Sequence, residues 1–221
     1  VGEAPQIGIV DYGMGNLMSV SRAFQSLGFR TCVSGSREQL QNAEGLVLPG
    51  VGAFRDCMEN LEKRGLTPFI KEWVRGNKPF LGICLGLQLL FTESHEFGIH
   101  RGLDLFKGKV VRFSDDMHSS VRYHNEVRQE RLKVPHMGWN RVDHPEGSRF
   151  FQDIPQGGYF YFVHSYYVAP EGEVNMCTTE YGIEFVSGIE SKNLISVQFH
   201  PEKSQKMGLL FLRNFARAAL R

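Results

Sequence analysis

The chain has 221 residues, with 25 Lys plus Arg against 24 Asp plus Glu and a formal net charge of +1. That balance argues against nucleic acid or an anionic membrane as the main partner, and no run reaches the ~18 apolar residues of a membrane helix. A chain of this size buries roughly 70% of its unfolded surface, so its core needs no covalent staples.

Residues 1–5 read as an N-terminal tail and residues 6–221 as a single domain. The opening run Val1-Gly-Glu-Ala-Pro5 lacks the basic and apolar regions of a signal peptide. The cysteines Cys32, Cys57, Cys84 and Cys177 form no C-x-x-C pair, which disfavours a zinc knuckle or a dithiol site. A reducing, cytoplasmic setting is expected, with Cys32, Cys57 and Cys177 as small buried apolar residues.

Residues 6–10 predict a short strand. Leu17, Val20, Phe24 and Leu27 follow at helical spacing, with Gly28 as a helix stop. Strands are expected at 29–33, 45–48 and 80–83. Helices are expected at 37–42, 54–64, 68–75 and about 85–92. This alternation predicts an α/β fold with a mostly parallel central sheet flanked by helices. In the second half, 109–113, 159–163, 175–178, 185–189 and 194–199 are strand-like, which suggests antiparallel strands added to the sheet. Phe160 and Phe162 should face one side of their strand. The dense mixed charge of 115–133 predicts a solvated loop or exposed hairpin, and residues 204–220 a closing amphipathic helix.

The chemistry concentrates at two places. Gly82-Ile83-Cys84-Leu85-Gly86 places a thiol where a strand turns into a helix, with glycines where side chains would obstruct the corner. It parallels the G-x-S-x-G elbow with sulfur in place of oxygen. Helix-start amides favour the thiolate, the form that attacks, and the Leu85 amide would face an oxyanion. Downstream, His200-Pro201-Glu202 supplies a base and a group to orient it, since residues i and i+2 of an extended segment face the same way. Imidazole can take the thiol proton and return it to a leaving amine. His95, His100, His118, His124 and His144 sit in polar surroundings and read as solvated. No group has convincing metal-ligand spacing, so no metal and no cofactor is expected. Gly13-Met14-Gly15-Asn16-Leu17-Met18 resembles a dinucleotide loop but has Met18 in place of the third glycine, so a tight turn or an interface role fits it better.

With these residues in hand, the chain resembles the class I (triad) glutamine amidotransferases, through Gly82 to Gly86 with Gln88 and through His200 to Glu202. The runs 11–16, 48–54, 135–140, 160–167 and 198–204 are similar to those of the glutaminase subunits of imidazole glycerol phosphate synthases, the histidine-biosynthesis branch. The resemblance runs from about Gln6 to the C-terminus. It implies a flavodoxin-like fold and hydrolysis of L-glutamine. It also implies delivery of ammonia to a (β/α)8-barrel cyclase in a heterodimer, with activation when the cyclase binds its substrate. By resemblance, Cys84 is the nucleophile, His200 the acid/base and Glu202 its partner. Gly50, Val51, Gly52 and Leu85 would serve the oxyanion, and Gln88 with the Ser165-Tyr166 backbone would hold glutamine. Asn16, Met137, Trp139, Tyr161 and Lys203 would lie near the interface and the ammonia passage.

Glycines 50 and 52 permit a peptide flip, which suggests an oxyanion amide that turns into place only when the partner is ready. Trp139, after a proline-containing loop segment, is an interface anchor by residue type. Segment 114–133 is longer than compact members of the family need. It reads as a surface insertion, an extended partner interface, or the mark of a paralogue feeding a different synthase. A non-catalytic regulatory module on the same fold is the reading from another class, and the intact Cys84, His200, Glu202 and Gln88 speak against it.

Overall fold

A computed structural model describes the backbone of residues 6–123 and 126–219, with side chains described except at 121–128. The expected tail at 1–5 and the side chains of Arg122, His124, Glu126 and Arg128 lie outside that description.

The first half alternates as its apolar pattern requires: β1 (Gln6–Val10), α1 (Leu17–Ser26), β2 (Arg30–Ser34), α2 (Arg37–Leu40), β3 (Gly45–Gly50), α3 (Phe54–Lys63), α4 (Leu66–Arg75) and β4 (Phe80–Cys84). After β4 come α5 (Leu85–Gln88), β5 (Phe91–Ser94), β6 (His100–Arg101), β7 (Phe106–Arg112), β8 (His118–Tyr123), β9 (Glu126–Arg131), β10 (His136–Val142) and β11 (Gly158–His164). The chain closes with β12 (Tyr166–Pro170), β13 (Asn175–Glu180), β14 (Glu184–Ser191), β15 (Leu194–Val197) and α6 (Gln205–Ala219). The main sheet runs β2-β1-β3-β4-β15-β14-β12-β7-β5-β6, with β13 beside β14. Its centre, β2 to β15, is parallel; antiparallel pairings carry it from β15 through β14 and β12 to β7, and β5 then pairs β7 in parallel. That is the expected α/β architecture.

Central strands are buried on both faces, so their sequences are near-continuous apolar runs. Alternate residues divide between two cores. Ile7, Ile9, Val47, Leu81, Ile83, Ile195 and Val197 pack with Phe24 of α1 and Phe211 and Phe215 of α6. Leu46, Leu48 and Phe80 pack with Cys57 and Leu61 of α3 and Phe69 and Trp73 of α4. Cys57 and Cys177 are buried as expected, while Cys32 is half-buried.

Four expectations need correction. The helix expected at about 85–92 stops after α5, and Phe91 already pairs with Phe106 of β7. Leu89, Leu90 and Phe91 are all fully buried, and such a run has no periodicity to separate helix from strand. Residues 136–142, for which no strand was expected, form β10, because inward-facing His136 and partly buried Gly138 and Asn140 replace the apolar residues that would have shown the alternation. Strand β11 joins β10 in a separate two-stranded sheet rather than the main one. His144, expected to be solvated, stacks on Phe151 at 4.5 Å between ring centroids and bonds the Ile154 carbonyl through Nε2 at 3.1 Å. Phe160 and Phe162 face one side, as expected, and β8 pairs β9 as a separate hairpin.

Beneath β10 and β11 lies a buried histidine pair. His136 Nδ1 and His164 Nε2 are 2.9 Å apart, and the His136 ring stacks on Tyr181 and Phe162 with centroids 4.0 and 4.8 Å away. Burial pushes His136 down to about 4. His164 is pushed to about 3, chiefly by burial and then by its histidine neighbour. Both fall below the usual histidine value near ~6.5, so the unfolded chain binds protons that the native state refuses. Their contribution to stability is full above about pH 6.5 and is lost as pH falls toward about 4. Urea denaturation between pH 7 and 4.5 should show a steadily falling midpoint, and His164→Gln should flatten that fall. An unchanged slope in the variant would contradict the assignment.

Candidate active site

The site is built on the corner between β4 and α5. Cys84 sits there with φ +55° and ψ −110°, a conformation that costs a non-glycine residue about 1–3 kcal/mol. The surrounding chain holds it in place. In register, Cys84 lies beside Gly50 of β3. A Cβ on Gly86 would overlap the Leu48 carbonyl oxygen, and one on Gly82 would overlap the Ser196 hydroxyl. The glycines therefore let three segments touch backbone to backbone, and the thiol projects from a corner that cannot relax.

The chain beyond β3 is held by two side chains from the same core. Tyr12 Oη donates to the Pro49 carbonyl at 2.8 Å, and Cys57 Sγ donates to the Val51 carbonyl at 3.6 Å. Burial pushes the Cys57 thiol up to about 12, so it remains a donor. Val51 is 40% exposed, and Gly52 takes φ +96°. The turn at 13–16 reaches Gly52 through Met14. It is a tight turn, with positive φ at Gly13 and Gly15 and the Gly13 amide donating to the Asp11 carboxylate at 2.9 Å.

His200 follows β15 and is held by its backbone: its amide donates to Tyr161 O at 2.9 Å, and its carbonyl accepts from Ser204 Oγ at 2.7 Å. His200 is extended, but Pro201–Lys203 form a 3-10 turn. A turn, rather than the expected strand, brings Glu202 back to the ring, with Oε1 2.8 Å from Nδ1. A carboxylate only accepts, so Nδ1 carries a proton and Nε2 is left facing inward. Nε2 is buried without a hydrogen-bond partner. Burial opposes charge on this ring, yet the Cys84 sulfur and the Glu202 carboxylate outweigh it and hold the imidazole up to about 10.

A cavity of about 760 Å³ opens onto Cys84 and His200. Val51, Gly52, Leu85, Gln88, Ser165 and Tyr166, singled out in the sequence for glutamine and its oxyanion, line it together with Lys203, whereas Gly50, singled out with them, is buried in register with Cys84 and is not among the lining residues. Trp139 and Tyr161 meet edge to face at 6.1 Å, and the Lys203 ammonium lies 5.9 Å from the Tyr161 ring. Met137 and Trp139 are 62% and 46% exposed, so this row faces outward. Asn16 stands at the start of α1 without capping it.

Several residues of the site were not singled out in the sequence. Among the described residues Glu96 is the one carboxylate lining the cavity, and it accepts from the Phe54 amide at 2.6 Å. Arg112 lines it too, while paired with Asp115 at 2.9 Å. His164 lines it from β11, and Gln198 is fully buried with its amide nitrogen 3.6 Å from Cys84 Sγ. The position of Gln198, two before His200 in an extended run, was an available signal. Glu96 sits in a polar stretch that looks like any solvated loop.

The sequence matches the glutamine amidotransferase class-I family model over residues 8–219. The imidazole glycerol phosphate synthase subunit HisH of Syntrophotalea carbinolica is 50% identical over 94% of this chain and 97% of its own length. That of Aquifex aeolicus is 47% identical over 96% of each chain. Among solved structures, PurLQS from Thermotoga maritima superposes with a TM-score of 0.69 at 16% identity, over 99% of this chain and 98% of its own. The glutaminase domain of CTPS from Trypanosoma brucei gives 0.64 at 17% identity, over 98% and 94%. These two support the fold. Match length and identity together mean that the chain belongs to the class-I glutamine amidotransferase family and, within it, to the HisH subunits of imidazole glycerol phosphate synthase.

Proposed function

We propose that this chain is the glutaminase of an imidazole glycerol phosphate synthase, working through Cys84, His200 and Glu202. It hydrolyses L-glutamine and passes the ammonia to a (β/α)8-barrel cyclase, which makes imidazole glycerol phosphate and AICAR in histidine biosynthesis. The observation that carries the reading is the strained Cys84 corner meeting an imidazole whose other nitrogen is held by a buried carboxylate.

The Cys84 thiolate attacks the side-chain amide carbon of glutamine. The oxyanion that forms is met by the Leu85 amide and by an amide of the Gly50-Val51-Gly52 stretch, and each such donor supplies about 3 kcal/mol of transition-state stabilisation. His200 gives its Nε2 proton to the leaving nitrogen, ammonia departs, and a glutamyl thioester remains on the sulfur. Water then attacks the thioester while His200 takes its proton. Collapse releases glutamate and restores the thiol. The Ser165-Tyr166 backbone supports the substrate carboxylate. Gln88 uses its NH2 group on Tyr166 O and Gln198 Oε1, so toward the cavity it offers an acceptor. With Glu96 it suits the substrate ammonium.

The outward row Met137, Trp139, Tyr161 and Lys203, with Asn16, forms the cyclase-facing rim and the ammonia passage. All four cysteines are free thiols, which agrees with a cytoplasmic setting. Residues 6–221 act as one amidotransferase domain.

Two predictions test the chemistry. In the assembled synthase, Cys84→Ala should abolish turnover with glutamine and leave turnover with added ammonium salts near wild type; loss of both would make the cysteine structural. Glu202→Gln should lower glutamine-dependent kcat by about 100-fold or more with a much smaller change in ammonia-dependent turnover, and unchanged kcat would remove Glu202 from the mechanism.

A further inference from the structure

We propose that Gln198 is a positioning residue for Cys84: it donates an N–H to the sulfur, and a buried hydrogen-bond relay from the Tyr166 carbonyl through Gln88 fixes which way its amide points, with the His136–His164 pair holding that carbonyl from the other side. The proposal rests on Cys84 being the nucleophile and goes beyond it by assigning what aims that nucleophile.

The polarity follows from one backbone carbonyl. Tyr166 O can only accept. Gln88 Nε2 lies 3.1 Å from it, so this end of Gln88 is the NH2 group, and the same nitrogen lies 3.0 Å from Gln198 Oε1. Gln198 therefore turns its oxygen toward Gln88 and its NH2 toward Cys84 Sγ, 3.6 Å away. The carbonyl is fixed from the other side as well. His164 Nδ1 is 2.8 Å from Tyr166 O and must carry a proton. Its Nε2 then accepts from His136 Nδ1 at 2.9 Å, and His136 Nε2 accepts from Asn140 Nδ2 at 3.2 Å. Asn140 is oriented in turn, its NH2 on Glu180 O and its oxygen on the Arg141 amide, both at 2.8 Å. Every link is thus a donor facing an acceptor, with orientations set by main-chain groups at both ends.

Gln198 is fully buried, and Gln88, His136 and His164 are nearly so. A flipped Gln198 would set an oxygen against the sulfur lone pairs and an NH2 against the NH2 of Gln88, two repulsive contacts among buried groups. The native orientation instead offers a donor to the thiolate, which favours the charged form and fixes the sulfur's direction. Tyr12 and Cys57 are kept protonated, mainly by burial. Glu96, Arg112, His164, Tyr166, His200 and Lys203 line the same cavity as Cys84, and the amide of Gln198 is the polar group that reaches the sulfur from behind it at 3.6 Å.

The test is alkylation of the full chain by iodoacetamide, followed at the Cys84 peptide by mass spectrometry across pH. Gln198→Met removes the amide. Gln198→Leu removes the donor without adding charge, and it decides the matter should the first variant fail to fold. Near-ultraviolet circular dichroism checks the fold of each. Both folded variants should alkylate Cys84 about tenfold more slowly near neutral pH, with the midpoint of the profile moved up by about one pH unit. Unchanged rate and midpoint in a folded variant would overturn the proposal. If wild-type Cys84 alkylates no faster than half-buried Cys32, the nucleophile reading beneath it fails instead.

Discussion

The contact on which the rest of the site depends is the backbone approach of β3, β4 and α5 around Cys84. Leu48 O lies where a Cβ of Gly86 would be, and Ser196 Oγ where a Cβ of Gly82 would be. With side chains at 82 and 86 the strands would part, and the positive φ of Cys84 would lose the packing that sustains it. The strain at one residue is carried by a parallel sheet buried on both faces. This is why a reactive thiol can stand at a corner rather than on a loop. The same approach puts Gly50 in register with Cys84 and sets Val51 and Gly52 on the wall of the same cavity.

Around this corner the polar groups are arranged with little freedom. Glu202 fixes the tautomer of His200, Tyr12 and Cys57 fix two carbonyls of the strand end, and the Tyr166 carbonyl fixes Gln88 and through it Gln198. In a low-dielectric interior an unpaired polar atom is costly, so each satisfied pair restricts the next. Glu202 Oε2, Ser196 Oγ and His200 Nε2 are the atoms of this corner left without a partner, and His200 Nε2 is the one the proposed chemistry uses. It is buried with no hydrogen-bond partner beside the thiol, at the place where the proposed reaction moves its proton.

Much of this was legible in the sequence. The glycines flanking Cys84, the His-Pro-Glu run and the strand–helix alternation up to β4 each carry a local physical signature, and each survives in the structure. What was not legible depended on long-range packing. The apolar run through Phe91 is a strand because β7 pairs with it. The β10 strand was hidden because His136 and Asn140, bonded to partners 28 and 40 residues away, occupy positions that an apolar pattern would have marked. Glu96 drew no attention because its partner, the amide opening α3, is 42 residues distant. The pairing of His200 with Glu202 was anticipated for the wrong local reason, since a 3-10 turn and not an extended segment joins them.

The central claim is that Cys84 carries the glutamyl group during turnover. It is tested most directly by acid-quenching the assembled synthase during glutamine turnover and measuring the intact mass and peptide map of this chain. The account predicts a glutamyl adduct confined to Cys84 and released by mild base or hydroxylamine, as a thioester is. A chain that turns over glutamine with no adduct at Cys84 in wild type and in a slowed His200→Asn variant, or with the adduct on another residue, would contradict it.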